Sequence, residues 1–548
     1  MRTTSFKSRA FALVSTTALL ATLVVASPAH AAATGPTCDG ATPVQTCTGT
    51  TSDGAAYKMV VPATFNGTVT IWSHGFGGNT TIPGYFAVDS SAQLAPNGAG
   101  QNGGSPELVK YLTDKGVAVM GSGFSTQGWN LDEAVKTNAE LVGIFKAKFT
   151  STKKVVAWGY SMGGGITQSF AEQHPELISS AAVMNPVDAW SAQAKYFVDI
   201  LWLLKTWFDP SIKLTGYAAG AAGDMQMLQD LGKYTAMLKA LQAGVATGAW
   251  PTTSSASAKA LEAAKIPSRS ALLMVGRLAG VSTQSTTFDS ISTPGGAAVT
   301  AWPLAYAPAL ATLENISGVL GYSLLGARDM EAKMGGIWMD NQATDFSKQL
   351  SEEDRAVYNA GLSGNTAINA MLATLSPLNP DAPRIKGDAA AMAKNASSHY
   401  QNTGKIKVPT VMMIGQNDPV EPAGVVQRIS DLYEADFAAA KAAAMKASQK
   451  SGAYVAPARK LQVLWSVTPK TWSKFDASGL PVTLTNTPGT GHTNFTMAQY
   501  KLVIDTALAA ADNGDLPWSG AQLSKVTKAK GLKIDRTTLY PWLKYYNN

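Results

Sequence analysis

Charge is what this sequence has least of. Asp, Glu, Lys and Arg make up 15% of its 548 residues, against about 25% in an average soluble protein, so solvation falls to Ser, Thr, Asn, Gln and Gly. An apolar share of 45% with so little charge excludes a disordered chain, which needs few apolar residues and much like charge. No Gly-X-Y period, sustained heptad or repeat of fixed length occurs, which excludes collagen, coiled coils and solenoids. Cysteine is limited to Cys38 and Cys47; a metal would need more ligands than this pair has nearby. Histidine is also scarce, with five in all, so each can be weighed singly.

Beyond the N-terminus, long apolar runs are missing too. The first 31 residues read as a secretory signal, with Arg2, Lys7 and Arg9 ahead of the apolar stretch from Phe11 to Ala26, then Pro28 and the small-x-small site Ala29-His30-Ala31. That stretch is short for a ~20-residue span. The mature protein is therefore expected to be soluble, secreted and without integral membrane association. Cleavage near Ala31 leaves 41 basic residues against 37 acidic ones, a net charge of +4 in place of +7. The one basic cluster, Lys525, Lys528, Lys530 and Lys533, lacks the aromatic or glycine pattern of a nucleic-acid module, so no nucleic-acid partner is expected. In an oxidising compartment, Cys38 and Cys47, nine apart with Gly40 and Pro43 between them, are expected to close a disulfide on an N-terminal flap, residues 32–55.

What is present is an alternation. Short β-rich runs occur at Tyr57 to Val61, Thr68 to Ser73, Val117 to Gly121, Val155 to Trp158, Ala181 to Met184, Pro409 to Ile414 and Val482 to Thr485. Helix-like stretches such as Glu107 to Asp114, Leu131 to Phe149 and Gly163 to His174 lie between them. Nearly continuous apolar strands alternating with helices predict an α/β fold with a mostly parallel central sheet covered on both faces. The first two runs look like an antiparallel hairpin leading into it. From about Trp190 to Gln401 no strand signal occurs, and roughly 200 residues is too long for a loop. An inserted, mainly helical domain is expected at 191–401, dividing a core of 56–190 and 402–548, the latter ending in the C-terminal tail. The Ala- and Lys-rich stretch from Ile429 to Lys450 is expected on the outside.

Four places on this frame can carry chemistry. Gly159-Tyr160-Ser161-Met162-Gly163 follows one strand-like run and opens a helix. A serine hydroxyl is a poor nucleophile unless it is held exposed beside a base with oxyanion donors ready, and a sharp strand-to-helix turn needs small residues on either side of it. The alternative is an ordinary glycine-rich turn. His74-Gly75-Phe76-Gly77-Gly78 exposes backbone N–H groups after another strand, and the oxyanion donors are assigned to Phe76 and Met162. His74 itself is expected to hold its loop rather than act as the base. Asp418, in Gly415-Gln416-Asn417-Asp418-Pro419, ends a strand where a carboxylate can orient a histidine; an Asx turn is the bland reading, and Asp188 and Glu421 are its rivals. His492 lies in the glycine-flanked loop Gly489-Thr490-Gly491-His492-Thr493-Asn494-Phe495. His174 precedes Pro175 at a helix end, and His399 lies ahead of a strand, where it could line the cleft. With His492 as base, the chain order is Ser, Asp, His.

Taken together, these four motifs resemble the α/β-hydrolase superfamily, in the manner of a secreted serine esterase or lipase with a large cap. The likeness covers about residues 55–190 and 400–510. It implies an eight-stranded, mostly parallel sheet, an acyl-enzyme on Ser161, and no cofactor or metal. The stretch from Gly116 to Trp129 also resembles the strand and turn flanking the cleft in secreted esterases of this type. A carboxylic ester, hydrophobic or aromatic, small or oligomeric, is the expected substrate; which residues bind it and how the chain associates are left open. Trp202, Leu203, Leu204, Trp207 and Phe208 could wall an apolar pocket or form helix core. The first alternative is an exopeptidase holding a free amino group with acids such as Glu314, Asp329 and Glu331. The second is a non-catalytic binding protein on the same fold.

Overall fold

Ten strands form one sheet in the computed structural model, which describes residues 34–534 apart from 41–43, 80–90, 97–103, 188–189, 293–305, 399–400, 477–481, 483–484 and 517–518. In chain order they are β1 (Thr34–Cys38), β2 (Val44–Thr50), β3 (Ala56–Pro62), β4 (Thr68–Ser73), β5 (Ala118–Ser122), β6 (Lys154–Ser161), β7 (Ser180–Pro186), β8 (Thr410–Gly415), β9 (Leu461–Ser466) and β10 (Leu532–Lys533). Their lateral order is β1-β2-β3-β5-β4-β6-β7-β8-β9-β10. The strands from β5 through β4, β6, β7 and β8 to β9 run parallel, and the two edges are antiparallel. β4, β5, β7 and β8 are buried at every residue, which is why they read as unbroken apolar runs.

Four expectations need correcting. β3 and β4 do not pair as a hairpin, because β5 lies between them and pairs with both. The five-residue connection 63–67 easily spans the roughly 10 Å of two strand spacings. Of the run Val482 to Thr485, the described residues Val482, an exposed bend, and Thr485 lie in no strand, and β9 at Leu461–Ser466 is the strand that follows β8. Residues 34–50 are not a flap apart from the fold, since β1 and β2 extend the sheet through β3. The implied count of eight strands becomes ten. The Cys38–Cys47 disulfide is present and joins residues directly opposite each other in the β1–β2 pair. The segment read as a signal lies outside the described residues.

Helices cover both faces. On one, α1 (Gly104–Asp114) and α13 (Met497–Asn513) enclose an apolar layer that includes Trp72 and Trp158, whose rings meet edge to face at 4.7 Å. On the other lie α2 (Leu131–Lys148) and α3 (Met162–Gln173). Between β7 and β8 the described residues hold no strand. They form α4 (Trp190–Phe208), α5 (Gly220–Gly244), α6 (Ala256–Ala263), α7 (Ser268–Ala279), α8 (Tyr306–Met334), α9 (Glu352–Tyr358), α10 (Asn365–Thr374) and α11 (Ala389–Ser397). The apolar core of this helical segment is continuous with the α2–α3 face of the sheet. Two buried ion pairs, Arg277–Asp354 and Arg328–Asp224, tie its helices together. The stripe on α4 is helix core: Leu203 and Leu204 are fully buried, Trp202 stacks on Phe346 at 4.9 Å, and Trp207 donates to Thr374. α12 (Ala423–Ser451) turns an exposed Ala- and Lys-rich face outward over its second half. No helix among the described residues is long and apolar enough to cross a membrane.

Candidate active site

The site is built where β6 turns into α3. Ser161 sits at φ 56° and ψ −134°, a strained backbone for any residue with a side chain, and its flanking glycines explain how the turn closes. A side-chain carbon at Gly159 would collide with the Gly163 carbonyl, and one at Gly163 with the Ser73 carbonyl. Ser161 Oγ lies 3.1 Å from His492 Nε2, and His492 Nδ1 lies 3.1 Å from Asp418 Oδ2. Three candidates separated by up to 331 positions thus form one hydrogen-bonded line. Asp418 is fixed by its surroundings: Oδ1 accepts the N–H groups of Val420 at 2.8 Å and Glu421 at 3.1 Å. Its Oδ2 accepts the N–H of Thr493 at 2.9 Å as well as the Asn185 amide. The His492 and Asp418 loops are joined by a β-bridge between Asn417 and Thr490.

A fourth group enters the line. The Oε1 of Glu421 accepts a hydrogen bond from Ser161 Oγ at 3.0 Å, and its Oε2 lies 2.9 Å from His492 Nδ1. The second approach lacks hydrogen-bond geometry, so the Nδ1–H points to Asp418 while Glu421 acts on the ring by charge. Burial, the largest influence, pushes the Glu421 carboxyl above its ordinary range. Burial alone would lower His492, but the carboxylates of Glu421 and Asp418 outweigh it and hold the imidazole well above the usual histidine range. Asp418, Glu421 and His492 are the one group among the described residues with ligand atoms close enough, within 4.8 Å, to hold a metal. Apart from Glu421 Oε2, their atoms are engaged with one another, with Ser161 and Asn185 and with backbone N–H groups, an arrangement suited to sharing protons.

A family described as alpha/beta hydrolase fold matches residues 117–214. That stretch runs from β5 through the Ser161 turn and past α4, the helix that follows β7. The chain has the α/β-hydrolase fold. No curated protein matches the sequence. Among solved structures, feruloyl esterase B from Aspergillus oryzae is 12% identical, with 86% of this chain and 81% of that one covered at a TM-score of 0.35. Tannin acyl hydrolase from Aspergillus niger is 11% identical, with 88% and 82% covered at 0.35. A cold-adapted esterase from an Arctic intertidal metagenomic library is 14% identical at 0.19, and the chain spans 63% of its length. At scores this low, the fold assignment rests on the sheet and the family match.

On the α/β-hydrolase frame the other candidates fall as follows. His74 Nδ1 lies 2.8 Å from the Gly75 carbonyl and its ring packs on Phe124, a loop-holding place. His174 caps α3 and approaches Glu176 at 3.3 Å. Asp188 and His399 lie outside the described residues. Met162 is the first residue of α3, so its N–H has no acceptor within the helix. Phe76 follows Gly75, where a side-chain carbon would stand 3.7 Å from Ser161 Oγ, and its ring meets Trp129 at 5.4 Å. The three acids weighed for an amino-group site are occupied and spread along α8: Glu314 binds Ser285, Asp329 binds Trp129 N–H and Asn79, and Glu331 binds the N–H groups of Gly216 and Tyr217. Glu314 and Asp329, fifteen positions apart on one helix, are roughly 22 Å from each other along its axis. Sequence reading missed Tyr322, whose ring meets His492 edge-on at 5.5 Å, because nothing local marks that turn of α8. It also missed Asn185, whose φ of 37° at a strand end leaves only the dipeptide Asn-Pro as a signal.

Proposed function

We propose that this chain is a secreted serine hydrolase that cleaves carboxylic esters through an acyl-enzyme on Ser161. The observation that carries the reading is the line Ser161 Oγ–His492–Asp418, with both nitrogens of the imidazole engaged. His492 Nε2 takes the Ser161 proton as Oγ bonds to the carbonyl carbon, and returns it to the leaving alcohol. Water then attacks the acyl carbon, giving its proton to the same nitrogen; the bond from the acyl carbon to Ser161 Oγ breaks, Nε2 returns that proton to Oγ, and the acid leaves. Asp418 holds the ring and balances its charge. The N–H groups of Met162 and Phe76 are assigned to the oxyanion, and each such donor typically contributes ~100- to 1000-fold. Phe76 beside the serine turn and the half-exposed Tyr322 beside the imidazole favour hydrophobic or aromatic esters. Secretion is supported by the N-terminal signal pattern and by the Cys38–Cys47 disulfide.

The occupied state of Glu314, Asp329 and Glu331 weighs against an exopeptidase, and the assembled line weighs against a binding protein. The test is a panel of aryl esters and aminoacyl anilides, run on the wild type and Ser161→Ala. Ester turnover that falls at least ~10³-fold in the variant, with anilides left uncut, is the expected result. Normal turnover by the variant overturns the assignment.

A further inference from the structure

We propose that Glu421 is a fourth working group of this site, holding a proton that it exchanges with Ser161 Oγ and so deciding whether His492 is available as the base. The inference rests on the serine-hydrolase reading above and adds a residue to it.

Proton counting leads there. Ser161 Oγ carries one hydrogen and faces two acceptors, Glu421 Oε1 at 3.0 Å and His492 Nε2 at 3.1 Å. With Glu421 ionised, the hydroxyl proton goes to the carboxylate, since charge-assisted hydrogen bonds are the stronger ones. With the one shared proton still on the pair, Nε2 then brings its own hydrogen to Oγ. The ring is an imidazolium with no lone pair to offer, and the nucleophile is idle. With Glu421 protonated, Oε1–H donates to Oγ, Oγ–H donates to Nε2, and the base is free.

The two arrangements contain the same protons. They interconvert when the Oγ proton moves to Oε1 while the Nε2 proton moves to Oγ, so Ser161 is the bridge of a two-proton shift. Attack proceeds from the second: Oγ bonds to the carbonyl carbon, its proton passes to Nε2, and a neutral Glu421 avoids adding a second anion beside the forming oxyanion. Burial of Glu421, which is 2% exposed with His492 as its one ion-pair partner among the described residues, works toward this form, while the pull of the carboxylates on the imidazolium works toward the first. The other titratable groups facing the pair are Asp418 on the same loop, Tyr160 on β6, Tyr196 on α4 and Tyr322 on α8.

A pair that shares protons titrates as a unit. A second proton closes the base and gives an acid limb. Loss of the shared proton leaves a bare carboxylate that captures the hydroxyl hydrogen and gives an alkaline limb. The readout is the rate at which a fluorophosphonate labels Ser161 across the pH range, which needs an activated hydroxyl and no particular ester. The wild type is expected to give a bell. Glu421→Gln can still donate to Oγ but has no proton to lose, so its profile should lack the alkaline limb. Its acid limb should move to lower pH, because removing a carboxylate that holds the imidazole up lets His492 fall, and its plateau should stay within roughly tenfold, the scale of one hydrogen bond. Glu421→Met should also lack the alkaline limb, with slower labelling. A wild-type profile without an alkaline limb overturns the proposal, as does a bell unchanged in either variant, or a Glu421→Gln loss equal to that of Ser161→Ala. Failure of the underlying reading looks different: an unlabelled wild type removes Ser161 as nucleophile, and labelling without ester turnover removes only the ester assignment.

Discussion

The turn around Ser161 and the helical segment between β7 and β8 are held by opposite means. At the turn, glycines let backbone approach backbone so closely that a single added carbon at position 163 meets two carbonyl groups, those of Ser73 and His74. In the helical segment, the contacts that fix geometry are side chains: Arg328 on Asp224, Arg277 on Asp354, and aromatic stacks such as Trp202 on Phe346. Backbone packing tolerates no substitution but positions one hydroxyl tightly. Side-chain packing can be exchanged piece by piece.

Three substitutions probe that contrast. Gly163→Ala should have the largest effect, in the exceptional range above about 4–5 kcal/mol, because neither carbonyl can yield without moving β4. Loss of both the unfolding transition and fluorophosphonate labelling would mark it. Arg328→Met should cost about 3–5 kcal/mol by taking the buried cation away from the buried Asp224 carboxylate, read as a lowered denaturant midpoint. Gly232→Ala, on an exposed turn of α5 where an added carbon meets nothing within 4 Å, should raise stability by roughly 0.5–1 kcal/mol. If the Gly163 and Gly232 variants behave alike, the contrast between the two regions is wrong.

The central sheet was legible because strands covered on both faces announce themselves as apolar runs, as β4 and β8 do. β9 escaped because Leu461–Ser466 alternates Leu, Gln, Val, Leu, Trp with two half-buried positions and so has no clean run. β1 and β2 escaped for a similar reason: Thr, Gly and Gln at a sheet edge look like loop. Ser161, Asp418 and His492 were readable from turn chemistry, each in a local pattern that needs its neighbours. Glu421 was visible only as a rival to Asp418. That both carboxylates reach one imidazole depends on how the chain turns after Pro419, with Val420 and Glu421 N–H groups folded back onto Asp418. The helical segment was readable as helix, but which of its side chains meet the site depends on long-range packing.

α8 carries a consequence of its own. Tyr322 and Asp329 are seven positions apart, two turns or about 10.5 Å of axial rise, and one touches the His492 ring while the other grips Trp129 and Asn79. One rigid rod thereby serves as a ruler between the His492 loop and the segment around Trp129. Lengthening it by a single residue would rotate one contact away from its target by about 100°, so the spacing of the two contacts is set by helical pitch.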